Sequence, residues 1–109
     1  MAAFVTLDEV KPSLRIDFDD DDALLSMLIE AATGAVINYL KSAADQYLDS
    51  GGEVPSGMEI PAEIRFATIF LVGVMYRSPD QDQDGAFERG YLPMPVTALL
   101  YPLRDPALA

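Results

Sequence analysis

The chain has 109 residues, with 18 acidic and 7 basic side chains, so its formal net charge is −11 at pH 7. Domains typically contain about 100 to 150 residues, and we therefore expect residues 1–109 to form a single domain. A chain with this net charge is poorly suited to binding nucleic acid phosphates or an anionic membrane surface, because like charges repel. The absence of cysteine and histidine excludes disulfides, thiolate chemistry, the usual catalytic triads and the commonest metal ligand.

Half of the residues are hydrophobic and the mean hydropathy is +0.16, although the net charge is high. A small fold buries only about 60% of the surface of its unfolded chain, so this composition is more apolar than a monomer needs. We expect part of the apolar surface to contact a partner and the acidic side chains to keep the subunit soluble. The first residues lack the basic start of a signal peptide, and we expect no export.

The first predicted helix is short. Thr6 and Glu9 have the spacing of a capping box, and Val5 and Val10 have that of a hydrophobic staple. Pro12 lacks an N–H group and crowds the preceding turn, so the helix must end early or bend.

A long second helix is the clearest prediction. Five of the six residues 17–22 are acidic, and we expect the helix to start near Asp20 with one of these carboxylates as its cap. Its apolar positions recur every three or four residues over about five turns. They are Leu24, Leu25, Leu28, Ile29, Ala32, Val36, Tyr39 and Leu40.

Residues 42–59 contain glycine, proline and serine, which predicts a loop, with helix up to Tyr47 and Leu48 as an alternative at its start. Pro61 fits the first position of a third helix. Residues 66–76 are apolar nearly all round but fall short of the roughly 20 residues that cross a bilayer. We expect a central core helix covered on most sides, ended by Pro79.

Residues 80–90 predict a polar surface loop, after which Pro93 and Pro95 introduce a short last helix. The apolar side of this helix would comprise Val96, Leu99, Leu100 and Leu103. Pro102 and Pro106 prevent its continuation, and we expect residues 104–109 to be extended. The chain as a whole predicts an all-α bundle of about four helices, two long and two short, with long polar loops.

Calcium binding is a minor alternative for the loop at 80–85. Its sequence, DQDQDG, matches the first half of an EF-hand, but Tyr91 stands where the closing glutamate belongs and Glu88 offers only a weaker ligand. Asp17, Asp19 and Asp21 alternate similarly, yet a leucine occupies the closing position, so helix capping explains them better.

No enzyme is predicted, because the acids lie in loops and helix starts where nothing would shift their pKa values. We found no phosphate-binding loop, dinucleotide fingerprint or nucleophile elbow, and we predict no cofactor. The arginines are too scattered for a DNA-reading patch, and each is a candidate for a salt bridge at a helix end or interface.

Several segments together resemble the head-tail connector, or head-completion adaptor, family of tailed bacteriophages and prophages. They are VTLDEVK at 5–11, LRID at 14–17 with the acidic run, DALL at 22–25, LIEAA at 28–32, YL at 39–40, PAEIR at 61–65, YR at 76–77, LP at 92–93 and VTALL at 96–100. The resemblance therefore covers nearly the whole chain in order. Pro12, the insert at 80–90 and the SP pair at 78–79 depart from the pattern.

The resemblance implies a structural subunit of the virion neck, assembled in the cytoplasm of the bacterial host. It implies a ring of roughly twelve copies beneath the portal protein, with a neck or tail-completion protein below and genome DNA passing through the centre. Excess apolar surface agrees with side-to-side contacts between such copies.

Two surfaces are candidates for function in a ring. Acids lining the channel would repel DNA phosphates and let DNA slide, and the candidates are Asp80, Asp82 and Asp84, or Asp19, Asp20, Asp21 and Asp22. Leu99, Leu100, Leu103 and Arg104 are candidates for contact with the portal or a neighbouring subunit, although the leucines would equally well close the subunit's own core. The alternative function is an acidic binding module that mimics DNA or sequesters a basic partner.

Overall fold

The computed structural model describes residues 3–77 and 94–103, and the regular structure in these residues is helical, without strands. Its four α-helices are α1 (Leu7–Ser13), α2 (Asp22–Leu40), α3 (Ala62–Arg77) and α4 (Met94–Leu100). Two 3₁₀ helices, Lys41–Tyr47 and Tyr101–Leu103, follow directly on α2 and α4. The predicted all-α fold with two long and two short helices is confirmed, as is a helical start to the segment after α2.

Helix α1 has the predicted capping box. The Glu9 backbone N–H donates to Oγ1 of Thr6 at 3.3 Å, and the Thr6 N–H donates to Oε1 of Glu9 at 3.0 Å. Pro12 lies in the last turn of this seven-residue helix. Arg15 then adopts a left-handed φ of 60°, which turns the chain toward α2.

Helix α2 begins at Asp22, two residues after the predicted start, with Asp21 as its N-cap residue. The predicted carboxylate cap is wrong, because no side chain caps this helix end and the Asp21 carboxylate instead accepts a hydrogen bond from Tyr76. Leu24 is exposed rather than part of the buried stripe. The buried positions of α2 are Leu25, Ile29, Ala32, Thr33, Ala35, Val36, Tyr39 and Leu40.

Helix α3 follows a loop that Asp49 organises, since its Oδ1 accepts from the N–H groups of Gly51 at 2.9 Å and Glu53 at 3.0 Å. The helix begins one residue after the predicted position, and the Pro61 carbonyl accepts the first helical bond from the Arg65 N–H. Its buried residues are Ile64, Ala67, Thr68, Leu71, Val72 and Gly73. The expectation that α3 is covered on most sides was wrong at Phe66, which is largely exposed.

The core lies between α2 and α3, and α4 packs on α3 while α1 contacts both long helices. The Tyr76–Asp21 hydrogen bond joins the end of α3 to the start of α2, so the long helices are antiparallel. Buried Thr33 accepts a hydrogen bond from the Phe4 backbone N–H at 3.2 Å, and the Phe4 ring meets Tyr47 edge-on at 6.3 Å. The N-terminal segment and the 3₁₀ helix after α2 are thereby fixed to the same core.

The helical stretch Asp22–Tyr47 is long and apolar enough to cross a membrane by length and composition. Of its apolar 18-residue window, 44% is buried inside the protein. The core helix of a soluble protein has the same length and composition, so this stretch is weak evidence for a membrane span.

Candidate assembly surfaces

Several large apolar side chains are exposed on the described part of the chain. They are Phe18, Leu24, Met27, Phe66 and Tyr101. Met27 on α2 and Phe66 on α3 are the most exposed members on the long helices, at 67% and 62%. Single exposed apolar side chains are common on soluble proteins, so their grouping on helix faces decides whether they form a surface.

The outward side of α2 forms one such surface. Successive helical residues are rotated by about 100°, which places Leu24, Met27, Ala31, Gly34 and Asn38 on one face. We call these five residues the α2 outer face. It carries no charge, and α2 as a whole contains only two charged residues, Asp22 and Glu30. An uncharged solvent face is unusual in a chain whose net charge is −11.

The second surface is a groove of about 390 Å³ between the end of α1 and the outward side of α3, which we call the α1–α3 groove. It is lined by Ser13, Leu14, Phe66, Ile69, Phe70, Gly73, Val74 and Arg77. Arg77 donates a hydrogen bond from its guanidinium to the Leu14 carbonyl at 2.8 Å, which fixes α1 to α3 at this groove. Apart from Ser13 and Arg77, the lining of this groove is apolar, and it contains no acid.

A wider, more polar groove of about 670 Å³ lies between the N-terminal segment and the loop before α3. Arg65 and Glu9 line it and form a salt bridge at 3.3 Å, while Arg65 Nε also donates to the Ile60 carbonyl at 3.2 Å. Its ionisable lining residues are Glu9, Glu59 and Arg65, and the Glu9–Arg65 ion pair links α1 to α3. The prediction that arginines pair at helix ends is confirmed for Arg65.

The acidic run before α2 is tied to the rest of the protein from two sides. Lys11 on α1 forms salt bridges with Asp19 at 2.7 Å and Asp22 at 2.8 Å, and Tyr76 donates to Asp21. The hydrogen bond from Lys11 lowers the pKa of Asp19, and the hydrogen bonds to Asp19 and Asp22 raise the pKa of Lys11. The hydrogen bond to Asp21, with burial, raises the pKa of Tyr76. These carboxylates serve as anchors in the fold.

Asp17 and Asp20 differ from their anchored neighbours, since both are exposed and form no salt bridge within residues 3–77 or 94–103. Asp19 is anchored to Lys11, yet its side chain remains 89% exposed. In the described part of the chain no three acidic side chains converge into a site that could hold a metal ion. The half EF-hand at 80–85, with Asp80, Asp82 and Asp84, lies outside the described residues.

The short terminal helix is divided between core and surface. Leu100 is fully buried, and Leu99 and Leu103 are partly buried and pack against the core. Leu100 thus closes the subunit's own core, whereas contact of Leu99 and Leu103 with a neighbouring subunit stays a prediction. Arg104 and the tail lie outside the described residues.

The exposure of the Met27 and Phe66 side chains was not predicted from the sequence. Met27 lies outside the periodic stripe of α2, and its exposure leaves a signal in the sequence. That signal is the small number of charged residues in α2, which leaves part of its water-facing side apolar.

Comparison with known proteins identifies the family. The family model described as Phage gp6-like head-tail connector protein matches residues 4–104. No curated protein and no solved structure matches the chain. The chain therefore belongs to the Phage gp6-like head-tail connector protein family, as a structural, virion-associated protein that assembles with other phage head and tail proteins.

Proposed function

We propose that roughly twelve copies of this subunit form a closed ring beneath the portal of a phage head and receive the next neck or tail-completion protein below. The observation that carries this proposal is the pair of apolar surfaces, the α2 outer face and the α1–α3 groove. The first surface lies on the side of α2 away from its buried residues, and the second lies on the side of α3 away from most of its buried residues. One protomer thus offers two different contact surfaces.

Two different surfaces favour a ring over a symmetric dimer. A symmetric pair uses the same patch on both partners, whereas head-to-tail contacts join unlike patches and close into a ring when the rotation allows. Burying these surfaces against neighbouring copies also removes Met27 and Phe66 from water. The apolar contribution is about 25 cal/mol for each Å² buried.

Genome DNA is proposed to pass through the centre of the ring past acidic side chains. Carboxylates that face the channel repel phosphates, the opposite of the attraction by which basic proteins hold DNA. Asp17 and Asp20, with the exposed carboxylate of Asp19, supply such charge on the described part of the chain. Asp80, Asp82 and Asp84 are further candidates.

The ring is tested by measuring the mass of the assembled protein. Light scattering and negative-stain imaging of the purified chain, with and without the portal protein, should show rings with a mass of many 11.9 kDa subunits. A monomer or dimer under both conditions contradicts the proposal. If that species instead binds a basic protein with strong salt dependence, the acidic binding module becomes the better account.

The channel role of the acids is tested separately by lysine substitution. Asp20→Lys alone, and the triple variant at Asp80, Asp82 and Asp84, should slow DNA release or trap DNA if those residues face the channel. Lysine at Glu59, an exposed acid in the loop before α3, is the control for Asp20→Lys, with an equal change in charge. Normal packaging, retention and ejection of DNA in both test variants would refute the channel role.

A further inference from the structure

We infer that the α2 outer face of one copy docks into the α1–α3 groove of the next copy, which names the interface of the ring and rests on the proposed function. Both surfaces are apolar and are open on the protomer. They are two different surfaces, as head-to-tail contact between identical copies requires, and each lies on the side of its helix away from most of the buried residues.

The charges of the two surfaces are complementary. The α1–α3 groove carries one charged side chain in its lining, the cation Arg77. Glu30 lies beside the α2 outer face, whereas Asp22, the other charged residue of α2, is paired with Lys11. Two chains of net charge −11 repel each other in most orientations, so contact is favoured where an acid-bordered face meets a groove with a cation.

The shapes of the two surfaces also fit. Met27 projects from α2 with 67% of its surface exposed, and the groove offers about 390 Å³ lined mostly by apolar side chains. Beyond Met27, the small residues Ala31 and Gly34 leave a shallow region. Apart from the adjoining turns of α2 itself, no atom of the protomer lies within 4 Å of where a Gly34 side chain would begin. Phe66 stands at the groove and is exposed enough to fill that region on a neighbour.

Chemical cross-linking can identify the contact, since the chain has no cysteine of its own. Ala31→Cys marks the α2 outer face, and Ala62→Cys marks the exposed start of α3 one turn before Phe66. Neither change removes a large side chain. In assembled rings, a short bismaleimide should link copies that carry both cysteines into a ladder that ends at the ring size.

Single-cysteine proteins are the matched controls. Ala31→Cys alone and Ala62→Cys alone should give no linked product, and a mixture of the two should give dimers only. Dimers of Ala31→Cys with itself would show two α2 outer faces in contact and would overturn the inference. Rings that form normally but give no ladder would also overturn it, while the proposed ring remains intact.

A pair of neighbouring substitutions on α2 gives an independent test. Met27→Asp places a charge at the centre of the proposed contact, whereas Ser26→Asp places it on an exposed position about 100° around the helix. Met27→Asp should raise the concentration needed for half-assembly at least about tenfold, as for a residue central to an interface, and Ser26→Asp should leave it nearly unchanged. Both variants should keep the helical circular dichroism of the wild type.

If Met27→Asp and Ser26→Asp assemble equally well, the proposed interface is wrong, but the proposal of a ring is unaffected. Failure of the unmodified protein to form rings, with or without the portal protein, would overturn both the ring and its interface. The two proposals therefore fail in distinguishable ways.

Discussion

The Tyr76 hydroxyl donates a hydrogen bond to Oδ2 of Asp21 and so joins the last turn of α3 to the N-cap residue of α2. Lys11 holds the same acidic run from the other side through Asp19 and Asp22. The connection between α1 and α2 is therefore fixed to both neighbouring helices. These contacts hold the start of α2 against α1 and α3.

Tyr76→Phe should lower the melting temperature at neutral pH, because it removes the hydrogen bond that holds α3 to the start of α2. The pKa of Tyr76 is raised above its ordinary 10.0 in the fold, so the neutral phenol is the stabilised form. The stabilisation is fully present below pH 10.0 and disappears as the pH rises through the raised pKa. The melting-temperature difference between wild type and variant should accordingly shrink in strong alkali.

Tyr101→Phe is the control for that measurement. Tyr101 is 64% exposed and has no hydrogen bond in the described part of the chain. Its substitution should leave the melting temperature nearly unchanged at every pH. Equal melting temperatures of Tyr76→Phe and wild type at neutral pH would show that the hydrogen bond contributes nothing to stability.

Lys11→Met should remove the salt bridges between α1 and the acidic run and so destabilise the protomer in a pH-dependent way. The pKa of Asp19 is lowered from its ordinary 3.8, so the stabilisation from its salt bridge is fully present above pH 3.8 and disappears as the pH falls through the lowered value. The pKa of Lys11 is raised from its ordinary 10.5, so on the alkaline side the stabilisation is fully present below pH 10.5 and disappears as the pH rises through the raised value.

The measurement is the free energy of unfolding in urea as a function of pH for the wild type and Lys11→Met. The difference between them should be constant near neutral pH and should close below pH 3.8. Asp17→Asn changes the charge of the same acidic run at a position without a salt bridge in the described residues, and it should show no such closure. A difference that persists unchanged into acid would contradict the account.

The local features of this fold could be predicted from the sequence because their causes lie within one or two turns. The capping box of Thr6 and Glu9 needs only a three-residue spacing, and Pro12 limits α1 by its own ring. The periodic apolar residues of α2 likewise predicted the long helix. The helix starts two residues after the predicted position, and its N-cap residue Asp21 binds Tyr76, which is 55 residues away in the sequence and could not be predicted from local spacing.

The outward residues were harder to predict, since burial depends on where a neighbouring helix lies. Leu24 and Leu25 are adjacent leucines with the same propensity, yet only Leu25 is buried in the core. Phe66 sits in a segment that is apolar all round, and periodicity could not show which side of it stays uncovered. The surfaces that we assign to assembly therefore follow from the packing of α2 against α3, which the sequence pattern alone does not determine.

Leu100→Ala should destabilise the protomer by about 2 to 5 kcal/mol, the usual cost of emptying a fully buried leucine site. Leu99→Ala, one residue earlier and only partly buried, is the matched control and should cost less. Urea unfolding of both variants as protomers distinguishes them. If Leu100→Ala is nearly neutral for folding but prevents assembly, Leu100 belongs to a subunit contact and not to the core.

The glycines of the two long helices should respond differently to alanine. Gly34→Ala should stabilise the protomer by about 0.5 to 1 kcal/mol, because glycine is costly inside a helix and the added methyl group meets no atom within 4 Å. Gly73→Ala should stabilise the protomer less than Gly34→Ala does, since its methyl group would lie 3.0 Å from Cδ2 of Leu14, which must then move aside. The two variants are compared by urea unfolding at protein concentrations too low for assembly. Both make the same glycine-to-alanine change inside a helix, so each controls for the gain in helix propensity of the other. If Gly34→Ala destabilises the protomer, Gly34 has a role inside the subunit. That result would contradict our assignment of Gly34 to a contact with a neighbouring copy.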